Sequence, residues 1–231
     1  MENIVISGGS SGIGKALAKR FVLQGHTVFT FARSGEKLRK LQNETHRGPG
    51  RLFPFVFDLE TGDFFQLAKE IALTLGQVTR MVNNAGVLVN KPFLETTPAE
   101  LEKVFRVNVL SVFPLVQKLF PLLAKGSHIV NITSMGGFQG SEKFAGLSAY
   151  SAAKGALAVL TESMAAEFSG QNIRVNALAL GAVQTDMLAA AFPGYEAPVS
   201  PDDMAAFIAD FTLNGHRFFN GKVLPVSLSS P

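Results

Sequence analysis

Two side chains with proton chemistry, Tyr150 and Lys154, stand four residues apart in the second half of the 231-residue chain. On a helix that spacing puts them on one face, one turn from each other. An unperturbed phenol has a pKa near ~10, too high for efficient acid–base work at neutral pH. An ammonium at ~4 Å, in an effective dielectric of ~20, favours the phenolate by about 4 kcal/mol, roughly three pKa units before desolvation opposes it. The pair therefore predicts a tyrosine drawn close to working pH by its lysine. With twenty Phe and only two Tyr in the chain, a hydroxyl kept at this position stands out. Taken alone, a Tyr and a Lys one turn apart also describe an ordinary helix surface.

A second stretch could bind rather than react. Ile4-Val5-Ile6 runs through Ser7 into Gly8-Gly9-Ser10-Ser11-Gly12-Ile13-Gly14, after which Ala16, Leu17, Ala18, Phe21 and Val22 recur at helical spacing. A strand, a glycine turn and a helix bring backbone N–H groups and the positive end of the helix dipole to one point, which suits a pyrophosphate. Gly8 allows the tight turn, Gly12 the close approach of phosphate, and Gly14 the packing of helix on strand. A glycine loop with no ligand fits the same residues. So does a hydrolase, because Gly8-Gly9-Ser10-Ser11-Gly12 also spells a nucleophile elbow with Ser10 at its centre. Only seven residues precede Gly8, too few for an earlier strand to supply an oxyanion loop, although Asp186 and His216 follow in the order a triad needs.

The elements that would position these groups read as alternating strands and helices. Strands are expected at 4–6, 27–31, 51–57, 79–82, 127–133, 173–178 and 222–228, with Pro54 marking the third as an edge. Helices are expected after the glycine turn and over 64–75, 98–123, 147–168 and 201–211. The first βαβ unit should be right-handed. Ser134 falls just past the fifth strand, and ligands bind beyond the carboxyl ends of strands in open parallel sheets. Asn108 lies inside the long fourth helix among valines and leucines, near the helix-bending Pro114. It either satisfies backbone at the bend or organises a water.

The residue that follows the second strand decides between cofactors. A protein reading a bare ribose carries Asp or Glu there, whereas here Ala32, Arg33 and Ser34 stand eighteen to twenty residues past Gly14. A guanidinium pairs with a 2′-phosphate that a carboxylate would repel, so NADP(H) is expected, with NAD(H) possible; the other reading of Arg33 is a solvated loop residue. Asp58, followed by Leu59, either bonds an adenine amino group or caps a turn. The small and amide residues Asn83, Asn84, Ala85 and Gly86 let backbone approach a ligand after the fourth strand.

Composition narrows the class. At 24.7 kDa and 47% hydrophobic residues the chain suits one α/β unit over 1–231. Cysteine is absent, so disulfides and thiolate metal sites are excluded, which fits a reducing compartment. His26, His46, His128 and His216 are scattered without metal-ligand spacing. No signal-peptide pattern and no bilayer-length apolar run is present, so a cytoplasmic protein without a membrane partner is expected. The net charge of +3 is spread along the chain, which argues against nucleic acid and for a phosphorylated cofactor.

Together the glycine turn, Asn83-Asn84-Ala85-Gly86, Asn108, Ser134 and Tyr150-x₃-Lys154 resemble, in order and context, the short-chain dehydrogenase/reductase family over nearly the whole length. The resemblance implies a Rossmann-type doubly wound sheet in the order 3-2-1-4-5-6-7. It also implies hydride transfer between a nicotinamide and a small-molecule carbonyl or alcohol, and a homodimer or homotetramer. By the same resemblance Tyr150 moves the proton, Lys154 lowers its pKa and holds the nicotinamide ribose, Ser134 positions the substrate oxygen and Asn108 holds a relay water. Backbone near Gly181 and Val183 and the Thr185 hydroxyl would touch the cofactor. A cofactor-binding sensor or scaffold without catalysis would have little reason to keep Tyr150 and Lys154.

Departures from the family pattern are visible. Sixteen residues separate Ser134 from Tyr150, which should reshape the pocket, and Leu180 stands where a proline is expected, which should loosen the turn at Gly181. The substrate lid at 186–200 is short, with Met187, Leu188, Phe192 and Tyr195, and predicts an open apolar pocket.

Overall fold

The computed structural model describes residues 1–228. Seven strands, β1 Asn3–Ser7, β2 Thr27–Ala32, β3 Arg51–Val56, β4 Val78–Asn83, β5 Leu123–Ser134, β6 Arg174–Leu180 and β7 Val223–Val226, form one sheet in the order β3-β2-β1-β4-β5-β6-β7. Every pairing is parallel. Both faces are covered, so the strands are apolar on both sides. Ile4 and Ile6 pack with Leu17, Phe21 and Ile208 under α1 (Gly12–Leu23) and α8 (Pro201–Asn214). Val5 points the other way into a core with Leu67, Ile71 and Leu157 from α3 (Phe64–Leu75) and α6 (Ser148–Glu167). The helix α2 (Gly35–Thr45) packs beside β3 at the sheet margin.

The two edge strands share a feature. Pro54 stands opposite Thr30 in β3, and Pro225 opposite Ala179 in β7. Arg51 and Phe57 donate inward to His26 and Ala32 carbonyls, so in this alternating ladder Pro54 occupies a position whose N–H would face outward. Likewise Lys222 and Val226 accept from Ala177 and Gly181, which leaves Pro225 between them on the outer side.

The long helix expected over 98–123 is not continuous. It breaks into α4 (Pro98–Phe105), a widened π segment (Arg106–Leu110) and α5 (Val112–Leu119), and β5 already begins at Leu123. At the break the Ser111 N–H donates to Arg106 O at 2.9 Å, five residues back. Pro114 follows the break, in the first turn of α5, where it has no N–H to offer the Leu110 carbonyl four residues back. The Asn108 amide fills the opening, donating to Val104 O and Val87 O, both at 2.8 Å. Its carbonyl accepts from Val87 N–H at 3.3 Å. Asn108 thus satisfies backbone, the first of its two expected roles.

At the amino ends of the strands, sequence-distant polar groups meet. The fully buried His128 of β5 bonds Thr212 O at 3.1 Å through Nδ1 and the Asn176 side chain at 3.0 Å through Nε2. His216 packs 5.6 Å away, centroid to centroid, and Arg80 faces His128 in register from β4. Burial pushes His128 down to about 3, with the Thr212 bond opposing and the charges of His216 and Arg80 assisting. A group whose folded pKa is depressed and whose neutral form is buried contributes stability above its unfolded pKa, lost as pH falls toward the folded value. The wild-type chain should therefore lose about 2 kcal/mol between neutrality and pH ~5 from this residue alone. Urea unfolding at both pH values checks this: His128→Asn should unfold at lower stability near neutrality yet show a smaller loss on acidification. An unchanged pH difference would contradict the assignment.

Candidate active site

The carboxyl ends of β1, β2, β4, β5 and β6 surround one cavity of about 1170 Å³. Its walls include all of Gly8, Ser10, Ser11, Gly12, Ile13, Gly14, Arg33, Ser34, Asp58, Leu59, Asn84, Ala85, Gly86, Ser134, Tyr150, Lys154, Gly181, Val183 and Thr185. Asn108 stands outside the wall, against Gly86: a Cβ there would come 2.7 Å from the Asn108 Oδ1 and 3.4 Å from the Lys154 Nζ.

The glycine turn is shaped by what cannot fit. Gly8 has φ +75°, and a Cβ would lie 2.8 Å from the Ala85 Cα. A Cβ at Gly14 would enter the Gly8 carbonyl, so helix and turn touch through backbone. Asn84 fixes the turn from β4, its amide donating to Ser7 O at 3.1 Å and Gly8 O at 3.3 Å, while the Ser7 hydroxyl accepts from the Asn84 and Ala85 N–H groups. The side chain of Asn84 therefore supports the turn. At the start of α1 the N-cap Ser11 makes no side-chain cap bond and no acidic residue occupies the first turn. Free amide donors, a positive dipole end and a cradle that any side chain would fill are the features a dinucleotide pyrophosphate requires, and these residues fit it.

Arg33 is exposed just beyond β2, and Ser34 caps α2 by accepting from Lys37 N–H at 3.3 Å. That cap places Lys37 in the first turn of α2, where it joins Arg33 in the cavity wall. The sequence reading missed Lys37, although its distance of four residues from Arg33 was the available signal. Asp58 accepts from Glu60 N–H at 2.9 Å, so its turn-capping role is present while it also faces the cavity. Thr185 caps α7 (Asp186–Ala191), accepting from Leu188 N–H at 3.2 Å.

The reactive groups gather at the end of β5. Ser134, the last residue of that strand, accepts from Gly136 N–H at 3.1 Å and hydrogen-bonds the Tyr150 phenol. The sixteen-residue separation does not part them. Burial around its hydroxyl pushes Tyr150 up to about 12, and the Ser134 bond pulls the other way. Lys154, 3% exposed, is pushed down to about 8 by burial. Its Nζ donates to Ile132 O at 2.8 Å and sits 5.7 Å from the Tyr150 ring centroid, in cation–π range. The expected depression of the tyrosine pKa by a lysine at its hydroxyl is thus not what the protein groups produce. Lys154 is held by strand backbone beside the ring, and desolvation dominates.

Two further expectations change. Leu180 does not loosen its turn: it ends β6 in register with Ser134 and Val226, and the Gly181 N–H donates to Val226 O at 2.9 Å. The hydrolase reading fails on geometry, because His216 packs against His128 at the amino ends of the strands while Ser10 lies at the carboxyl end of β1. Among the described residues no group of His, Cys, Asp and Glu could hold a metal ion, and no helix is long and apolar enough to cross a membrane.

The tyrosine environment can be measured directly. Tyr195→Phe leaves Tyr150 as the single tyrosine of the chain. At about pH 10, where an unperturbed phenol is half ionised, its ultraviolet phenolate band should be nearly absent. Adding Ser134→Ala should raise the midpoint further, since that bond favours the phenolate. Half-ionisation at pH ~10 in the single-tyrosine variant would contradict the burial described.

Comparison with known proteins places the chain. The sequence profile described as short chain dehydrogenase matches residues 2–196. The 3-oxoacyl-[acyl-carrier-protein] reductase of Thermotoga maritima is 32% identical over 186 residues, 79% of this chain and 74% of that protein. The structure superposes with a TM-score of 0.87 on a short chain dehydrogenase from Escherichia coli CFT073 complexed with NADPH, 31% identical, covering 97% of this chain and 95% of the other. A TM-score of 0.87 is also reached with a 3-ketoacyl-(acyl-carrier-protein) reductase from Brucella melitensis complexed with NADH, 26% identical, covering 98% and 96%. With its parallel seven-stranded sheet, its glycine turn and a profile match over most of its length, the chain belongs to the short chain dehydrogenase family of oxidoreductases.

Proposed function

We propose that the protein is an NADP(H)-dependent carbonyl reductase. The observation that carries this reading is geometric: Tyr150, Lys154 and Ser134 meet in the cavity that the glycine turn opens onto, with Arg33 and Lys37 on the same wall. Reduction is the direction this reading takes because the Arg33–Lys37 wall suits the phosphorylated nicotinamide.

The turn at Gly8–Gly14 and the amino end of α1 would hold the pyrophosphate, Arg33 and Lys37 a 2′-phosphate, Asp58 and Leu59 the adenine, and Gly181, Val183 and Thr185 the nicotinamide end. When bound, the reduced nicotinamide supplies the hydride. Ser134 orients the substrate oxygen, Tyr150 gives it the proton, and Lys154 steadies the phenolate that remains and holds the ribose. The Lys154 ammonium and the Asn108 amide both adjoin Gly86, and by resemblance Asn108 stands at the far end of the proton path. The complexes of relatives with NADPH and with NADH support a nicotinamide in this cavity, and the Arg33–Lys37 wall favours the phosphorylated one. The reading includes a homodimer or homotetramer, supported by exposed Leu110, Phe113 and Val159 on neighbouring helices, and a cytoplasmic setting, supported by a chain without cysteine.

Fluorescence titration with NADPH and NADH tests the cofactor assignment without a substrate. NADPH should bind at least about tenfold more tightly than NADH, and Arg33→Ala and Lys37→Ala should each reduce that preference with little change for NADH. Equal binding would remove the phosphate assignment. For the chemistry, Tyr150→Phe should keep NADPH affinity while turnover of any reducible carbonyl falls by about a hundredfold or more. NADPH binding with no turnover in the wild type would favour a sensor.

A further inference from the structure

The cavity divides by charge. Its cations are Arg33 and Lys37 at the end that would take the adenosine, and Lys154 at its base. Around the lid and the loop from Met135 to Leu147 the charged wall residues are the carboxylates Glu142 and Asp186. Lys143, adjacent to Glu142, does not answer them. Its Nζ donates to Phe138 O at 2.7 Å, Ser141 O at 3.0 Å and the Ser141 hydroxyl at 2.6 Å, so the ammonium is held against the turn of its own loop. Ser141 in turn bonds the carbonyls of Met135 and Phe138. This lysine-centred clasp holds the loop that carries Glu142 and Phe144 in the cavity wall, and Lys143 itself is not part of that wall.

The same region is apolar and open. Phe144, Met187 and Tyr195 line the cavity while 55%, 42% and 49% exposed, a rim of large apolar side chains that a ligand would cover. The lid carrying two of them is fastened at its base, where Gln184 N–H donates to Val199 O at 2.9 Å, and at its middle, where the Asn90 amide donates to Ala191 O at 2.7 Å. An apolar, aromatic rim whose charged residues are carboxylates accommodates a bulky hydrocarbon or an organic cation and opposes a carboxylate.

We infer that this site selects bulky apolar aldehydes or ketones that carry no negative charge near the carbonyl, with Glu142 as a specificity-determining residue. The inference rests on the carbonyl-reductase reading above.

Three para-substituted benzaldehydes of similar shape test it with the full chain and NADPH at low salt: the tert-butyl compound, its isosteric trimethylammonio analogue, and the carboxylate. The neutral and cationic aldehydes should exceed the carboxylate in kcat/KM by about fivefold or more, and Glu142→Gln should narrow the gap between cation and carboxylate. Binding of the matching unreactive benzamides, by titration calorimetry, should follow the same order without turnover. A carboxylate handled as well as the neutral compound, or an order indifferent to Glu142→Gln, would overturn the inference. Benzamides that bind in the expected order while no aldehyde is reduced would instead overturn the reductase reading and leave the selectivity standing.

Discussion

The contact on which the site depends is the bond from the buried Lys154 ammonium to the Ile132 carbonyl. An ammonium taken out of water must find acceptors, and here the acceptor is the sheet itself. The reciprocal bond, from the Thr133 hydroxyl to Lys154 O at 2.7 Å, fastens α6 to β5 one residue further on. The turn after β5 closes against the same place, because a side chain at Gly137 would enter the Lys154 backbone. With α6 so fixed, Tyr150 has one place to be, next to Ser134. The position of the phenol is therefore set by a strand carbonyl and a glycine contact, and the length of the loop between Ser134 and Tyr150 is free to vary.

This explains which parts were legible in the sequence. Apolar strand runs, helical periodicity and the glycine turn follow from local residue types and gave the strands and the turn; the strand order and the contacts at Gly181, Val183 and Thr185 came from the family resemblance. The cavity wall holds the glycines, Arg33, Ser134 and Tyr150 because all lie at strand ends or in the first turns of helices, where period and punctuation are readable. A bend near Asn108 was readable from the amide among valines close to Pro114, but its form, the widened turn at Arg106–Leu110, was not. Its residues are ordinary helix formers, and the opening exists because the Asn108 amide reaches across to Val87 on another element. The early start of β5 at Leu123, opposite Val78, is likewise a property of the partner strand.

The electrostatics were the least legible. A rule for two charges at a stated distance predicted a lowered tyrosine pKa, whereas burial raises it and the lysine bonds elsewhere; desolvation depends on everything packed around a group, which spacing does not contain. The histidines illustrate the same limit. Scattered in the chain, His128 and His216 meet because β5 runs through the centre of the sheet and α8 returns the chain to its amino end.

The prolines of the outer strands bear on how copies of the molecule can meet. A parallel sheet of seven strands leaves two open rims, each able to template another strand. Pro54 and Pro225 take a donor away from the outward side of each rim, and in the four-residue β7 the gap falls within the strand. A second chain laid along either rim would find its ladder broken at once. Growth of the sheet from molecule to molecule, the route toward fibres, is thereby blunted at both margins.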